Sequence, residues 1–208
     1  METSTTKQIS QSGGKAGLTD YARAMRPDHW VKNLVVLAAF FFALGDRNQA
    51  AVLDPAWLSF CRIVGATVLF CIVSSAVYVF NDIRDLALDR VHPSKKLRPI
   101  AAGLVPVPHA WVMVVILAAC GTGLSVVLSR QLAYVVTAYL LLQVLYTLFL
   151  KKIALLDVLI LASGFVLRAL AGAAVLSVDI SPWLVLCTFL LALFLGFCKR
   201  RHEKIQLV

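Results

Sequence analysis

The chain has 208 residues, of which 60% are apolar and 15% charged, with a mean hydropathy of +0.84. Soluble domains carry roughly 25% charged residues, so these values exclude a disordered chain, a coiled coil and an ordinary water-soluble enzyme and indicate an all-α polytopic membrane protein. Lys and Arg outnumber Asp and Glu by 20 to 11, a net charge of +9, which here marks cytoplasmic loops and an anionic ligand rather than nucleic acid.

Residues 1–18 are polar, rich in Ser, Thr, Gln and Gly, and hold no apolar signal-peptide core. They are expected to form a disordered cytoplasmic tail, ahead of one transmembrane helical domain over 19–208. Six apolar stretches follow, near 30–45, 56–80, 108–128, 131–150, 155–177 and 182–198. Each is near the length that crosses a hydrocarbon core of roughly 30 Å, the first being short. Asp54-Pro55 and Ser181-Pro182 place a capping residue before a proline in a first helical turn. Lys and Arg crowd the segments before the first stretch, around 84–98, at 151–152 and at 199–204, while the opposite segments keep only Arg47, Arg62 and Arg130. That bias predicts an integral protein of a bacterial-type inner or plasma membrane, with both termini cytoplasmic. Cys61, Cys71, Cys120, Cys187 and Cys198 fall in apolar runs without metal-ligand spacing and read as small buried hydrophobes.

The segment 81–107 is the candidate catalytic loop, and it opens NDIRDLALDRVHPSKKLRP. Asp82, Asp85 and Asp89 fall at i, i+3 and i+7, on one face of a helix continuing the second stretch. Acids this close repel unless a cation lies among them. Mg²⁺, with Mn²⁺ as the alternative, takes carboxylates together with substrate phosphates. Asn81 stands before the acids, and Lys95, Lys96 and Arg98 follow them with chemistry suited to phosphate oxygens. The competing reading is a solvated helix with internal ion pairs.

Four further places invite a role. Arg26 and Asn33 are seven apart and share a helical face at the mouth of the first stretch, with Lys32 beside them. They suit phosphate and headgroup contact, or an interface anchor with Trp30. Tyr146 and Lys151 flank the end of the fourth stretch, where Tyr146 reads equally as an interface aromatic. Arg168 lies inside the fifth stretch, where a cation demands a wet cavity or an anionic partner. Asp157, a signature acid or a lipid phosphate would serve, and Gly164 and Gly172 leave room for a ligand or for another helix. Lys199, Arg200, Arg201, His202 and Glu203 close the sixth stretch as a phosphate site or a positive flank.

N-D-x-x-D-x-x-x-D at this position resembles the first signature of the UbiA-type intramembrane prenyltransferase superfamily. RPDHWVKN (26–33), DRVHPSKKLRPIAAG (89–103), YTLFLKK (146–152), DVLILASGFVLRALAG (157–172) and KRRHE (199–203) are similar to its decaprenyl-phosphate phosphoribosyltransferase branch. Members usually have nine spans, so the chain resembles the first two-thirds of such a bundle. The resemblance implies Mg²⁺-dependent transfer of 5-phosphoribosyl from phosphoribosyl pyrophosphate to a polyprenyl (decaprenyl) phosphate among membrane lipids, with use in cell wall biosynthesis. It implies metal ligation by Asp82, Asp85 and Asp89 with Asn81 beside them. Substrate contacts would come from Arg26, Lys32, Asn33, Lys95, Lys96, Arg98, Tyr146, Lys151, Arg168, Lys199, Arg200 and Glu203. Prenyltransferases of the superfamily carry a second acidic motif where this chain has KRRHE, a sequence better suited to bare phosphate. Two other readings stand beside this one: a prenyltransferase acting on an aromatic acceptor, and a non-catalytic shortened homologue. A transporter fits less well, because the ionisable residues crowd one face.

Overall fold

The computed structural model describes residues 17–53 and 55–205; most of the expected tail and Asp54 lie outside them, as do the side chains of Lys152, Ala154, Lys199 and residues 202–205. Among the described residues every regular element is helical. In chain order they are α1 (Leu18–Ala24), a 3₁₀ helix Pro27–Leu37, α2 (Ala38–Gly45), α3 (Arg47–Ala50), a 3₁₀ turn Ala51–Leu53, α4 (Ala56–Arg84) and α5 (Leu86–Val91). A 3₁₀ turn Lys95–Leu97, α6 (Val107–Leu128), α7 (Arg130–Leu148), a 3₁₀ turn Leu150–Lys152, α8 (Ala154–Leu176) and α9 (Pro182–Ile205) complete the chain. Five segments are long and apolar enough to cross a membrane: Pro27–Gly45, α4, α6, α7 and Leu155–Leu176; Pro182–Cys198 in α9 is apolar but shorter. These are the six stretches read from the sequence.

The first crossing solves its length problem by winding. Its opening Pro27–Leu37 is 3₁₀ rather than α. A 3₁₀ helix rises about 2.0 Å per residue against 1.5 Å for an α-helix, so Pro27–Gly45 reaches about 34 Å where an all-α segment would reach about 28 Å. The three-residue repeat also sets its buried face. Trp30, Asn33 and Val36 turn inward, while Val31 and Leu34 are exposed.

α4 and α8 form the centre. In the most apolar part of each, 61% is buried, against 11% in α6, so the described residues leave most of the α6 surface uncovered. The main core joins Val36 and Phe40 to Phe70 and Val73 of α4, Val136 and Tyr139 of α7, and Ala171 of α8. Gly172 permits this packing, since a Cβ there would overlap the Val36 carbonyl oxygen. Gly172 therefore serves close helix approach, one of its two expected roles. The cysteines correct the sequence reading: Cys61, Cys120, Cys187 and Cys198 are exposed and Cys71 is intermediate. Their apolar stretches thus place them on the outside of the described bundle rather than in its core.

A smaller cluster of Ala24, Val79, Ile100, Val105 and Ala110 pins α1 and the 98–105 loop against α4 and α6. Gly103 turns that loop at φ 77°, and Val105 N–H bonds to Pro99 O at 3.1 Å. This anchoring holds Arg98 over the end of α4.

Candidate functional site

α4 carries the site on one face. Near its middle, Ser74 and Ser75 receive the 3₁₀ segment: Asn33 Nδ2 donates to Ser74 Oγ at 3.1 Å and to Cys71 Sγ at 3.3 Å, and Trp30 Nε1 donates to Ser75 Oγ at 3.1 Å. Two turns on, Asp82 is 2% exposed. Arg26 donates to it, as does Arg98 at 3.2 Å. Arg98 also reaches Asp89 at 2.5 Å, so one guanidinium links two buried carboxylates. Arg26 does not share a helical face with Asn33, as the seven-residue spacing suggests. It precedes the 3₁₀ helix in a left-handed conformation, φ 54°, and points to the acids from there.

The helix expected to continue through all three acids breaks at Asp85 (φ −96°, ψ 6°), yet its hydrogen bonds carry on. Asp85 N–H bonds to Asn81 O at 2.9 Å and Asp89 N–H to Asp85 O at 2.8 Å. Asp82 and Asp89 thus keep a common face, while Asp85 turns to Lys151. Asn81 Oδ1 accepts from the Thr147 hydroxyl of α7. Each acid of the motif is therefore met by a cation: Asp82 and Asp85 from distant parts of the chain, through Arg26 and Lys151, and Asp89 from Arg98 of the same loop.

The acids do not form a closed metal cage. Among the described residues no three His, Cys, Asp or Glu side chains are placed to hold a metal ion. Mg²⁺ asks for less, because it keeps waters and takes one or two carboxylates plus substrate phosphate oxygens. Asp82 Oδ2 is buried and has no hydrogen-bond partner, an open acceptor on a hard oxygen donor. On that observation the residues fit a divalent cation shared with a ligand.

A second node lies across the same end. Asp157 of α8 is fully buried and accepts from the Tyr146 hydroxyl of α7 and from Arg200 of α9. Arg168 stands apart from both nodes. It is 5% exposed and donates to Asn33 Oδ1 at 2.8 Å, Gly164 O at 2.9 Å and the Tyr139 hydroxyl at 2.9 Å. Its guanidinium also lies 5.0 Å from the Tyr139 ring centre and 5.2 Å from that of Phe165. Among the described residues neither Asp157 nor a signature acid pairs with it; neutral dipoles and π faces surround it instead. Gly164 leaves room for this guanidinium.

The structure thus brings together Arg26, Asn81, Asp82, Asp85, Asp89, Arg98 and Lys151. It places Tyr146 and Arg200 with Asp157, and Asn33 with Arg168, about 12 Å along α4 from Asp82 by helical rise. Lys32, Lys95 and Lys96 are exposed, and no ion pair joins Lys95 or Lys96 to the three acids. The side chains of Lys199 and Glu203 lie outside those described. Sequence reasoning passed over Thr147 and Tyr139, and weighed Asp157 only as a partner for Arg168. Two adjacent serines in an apolar stretch were a usable signal of a polar docking face.

Comparison with known proteins matches residues 30–201 to the UbiA prenyltransferase family. Decaprenyl-phosphate phosphoribosyltransferase of Mycolicibacterium smegmatis is 39% identical over 181 residues, covering 87% of this chain and 56% of the relative. The protein of the same name from Corynebacterium glutamicum is 40% identical over 185 residues, covering 87% and 53%. The chain spans about half the length of these relatives. A UbiA homolog from Archaeoglobus fulgidus, solved with DMAPP and Mg²⁺ bound, superposes with a TM-score of 0.67 at 18% identity, covering 84% of this chain and 60% of that one.

Proposed function

The chain belongs to the UbiA prenyltransferase family, and from that premise we propose that it carries the donor-binding half of a membrane phosphoribosyltransferase. The reaction moves 5-phosphoribosyl from phosphoribosyl pyrophosphate to a polyprenyl phosphate, at the cytoplasmic side of the membrane. The observation that carries this reading is the ring of Arg26, Arg98 and Lys151 around Asp82, Asp85 and Asp89, with Asp82 Oδ2 left open. The identity of 39% to an enzyme of that name supports it.

Asp82 and Asp85, with Asp89 beside them, would hold Mg²⁺; Mn²⁺ suits the same oxygens. When bound, the metal neutralises charge on the departing pyrophosphate. Arg26 and Arg98 offset the charge of Asp82 and Asp89 and offer their remaining N–H groups to donor phosphate oxygens. Lys151 does the same from the other side, as a point charge. Asn81, held by Thr147, orients the start of the acidic turn. Tyr146 and Arg200, fixed by Asp157, face the acceptor phosphate. That phosphate is largely ionised at neutral pH, its second pKa being about 6. Its oxygen attacks the anomeric carbon, the bond to pyrophosphate breaks, and the configuration inverts. No general base is needed.

The test places the chain in nanodiscs with Mg²⁺, labelled phosphoribosyl pyrophosphate and a polyprenyl phosphate. A fusion to the C-terminal part of the M. smegmatis relative runs alongside. EDTA-sensitive movement of label into the organic phase, in either form, supports the reading. Silence in both forms sinks it.

A further inference from the structure

We propose that α5 and the 3₁₀ turn after it form a surface that seats this end of the bundle on anionic lipid headgroups. α5 is amphipathic in an inverted sense. Its acids turn inward: Asp89 is 2% exposed and Asp85 is half-buried, both engaged by cations of the bundle. Its large apolar side chains turn outward. Leu88 is 70% exposed and Val91 81%, and Leu97 on the next turn is 73% exposed. All three lie outside the membrane-crossing segments, so lipid tails at the bundle's sides do not already cover them.

The charges beside this patch have one sign. Arg84, Arg90, Lys95 and Lys96 are exposed, whereas the acids of the same stretch are spent inside. Apolar side chains that sink below headgroups, rimmed by cations that meet phosphates, make an interfacial anchor. Position agrees with composition. α4 and α6 cross the membrane on either side, so the segment between them is held at its surface. A second copy of this chain is a poor occupant, because it would set the same cations against each other. The surface does not depend on the proposed transfer reaction. It also gives Lys95 and Lys96 a lipid-facing role beside the substrate phosphate contacts expected of them.

Hydrogen–deuterium exchange of the chain in nanodiscs tests this, comparing pure phosphatidylcholine with a mixture containing phosphatidylglycerol. Amides over Leu86–Leu97 should exchange roughly tenfold more slowly in the anionic discs. Lys95→Gln with Lys96→Gln, exposed changes that spare the core, should remove the difference, and Leu88→Ser with Val91→Ser should remove it as well. Equal exchange in both lipid compositions overturns the proposal, whether the segment is open in both or covered in both by a protein surface. A difference that survives Lys95→Gln with Lys96→Gln overturns it too.

Discussion

Arg26 reaches Asp82 across 56 positions of sequence because its own backbone is left-handed, at φ 54°. The residue combines a charge on a buried acid with a conformation that costs a side-chain-bearing residue about 1 kcal/mol or more. Replacement by glycine or alanine should separate the two effects. Both remove one of two cations from Asp82, a loss of about 1–3 kcal/mol. Glycine recovers the backbone cost and alanine does not. Thermal unfolding in detergent should rank wild type above Arg26→Gly, and Arg26→Gly above Arg26→Ala by about 1 kcal/mol. Equal stability of the two variants would mean the strain is not there.

Removing an acid from the motif should act on rate. In whichever form of the protein transfers label, Asp82→Ala and Asp85→Ala should each slow transfer by about 100-fold or more. Lys151→Met should act chiefly on donor KM, since the metal-binding acids stay in place. Full activity of both aspartate variants in saturating Mg²⁺ would remove these residues from the metal site.

Two glycines offer a matched pair. A Cβ on Gly172 would overlap the Val36 carbonyl oxygen, whereas one on Gly123 meets nothing within 4 Å. Gly172→Ala should therefore cost about 1–3 kcal/mol through forced separation of α8 from the 3₁₀ segment. Gly123→Ala should be neutral or stabilise by up to about 1 kcal/mol, as in any open helix position. Denaturation of both variants side by side measures the difference; a stable Gly172→Ala would contradict the close approach.

Arg168 and Asn33 should behave as a unit. Arg168→Lys keeps the charge but loses the planar fork that serves Asn33, Gly164 and Tyr139 together. It should destabilise nearly as much as Arg168→Met. The double variant Arg168→Met with Asn33→Leu should be more stable than the sum of the single losses by about 0.5–2 kcal/mol. Strict additivity would show that the two side chains do not share one network.

Length and apolar content marked the six stretches, because a bilayer imposes both on any helix that crosses it. They did not mark the winding of the first. An i, i+7 reading assumes 3.6 residues per turn, and only the triplet Trp30, Asn33, Val36 hints at a repeat of three. The acidic turn was legible as a face, but its partners were not, since Arg26 and Lys151 lie 56 and 66 positions from the acids they meet. The cysteines misled because lipid and core both favour a small apolar side chain. Arg168 misled for the opposite reason: a search for countercharge overlooks neutral oxygens and aromatic faces that together satisfy a buried cation.

The repeat of three in Pro27–Leu37 also governs which changes of length the gene can tolerate. Adding or deleting one residue there turns everything beyond it by about 120°. Lys32 or Leu34 would then face the Ser74 that Asn33 now meets, and Arg26 would slide off Asp82. At the opposite end of the same crossing, Arg47 and Asn48 are exposed and carry no such register, ahead of Leu53, which is buried in the core. Insertions should survive in that turn and vanish from the other, a pattern that a library of single-codon insertions would expose directly.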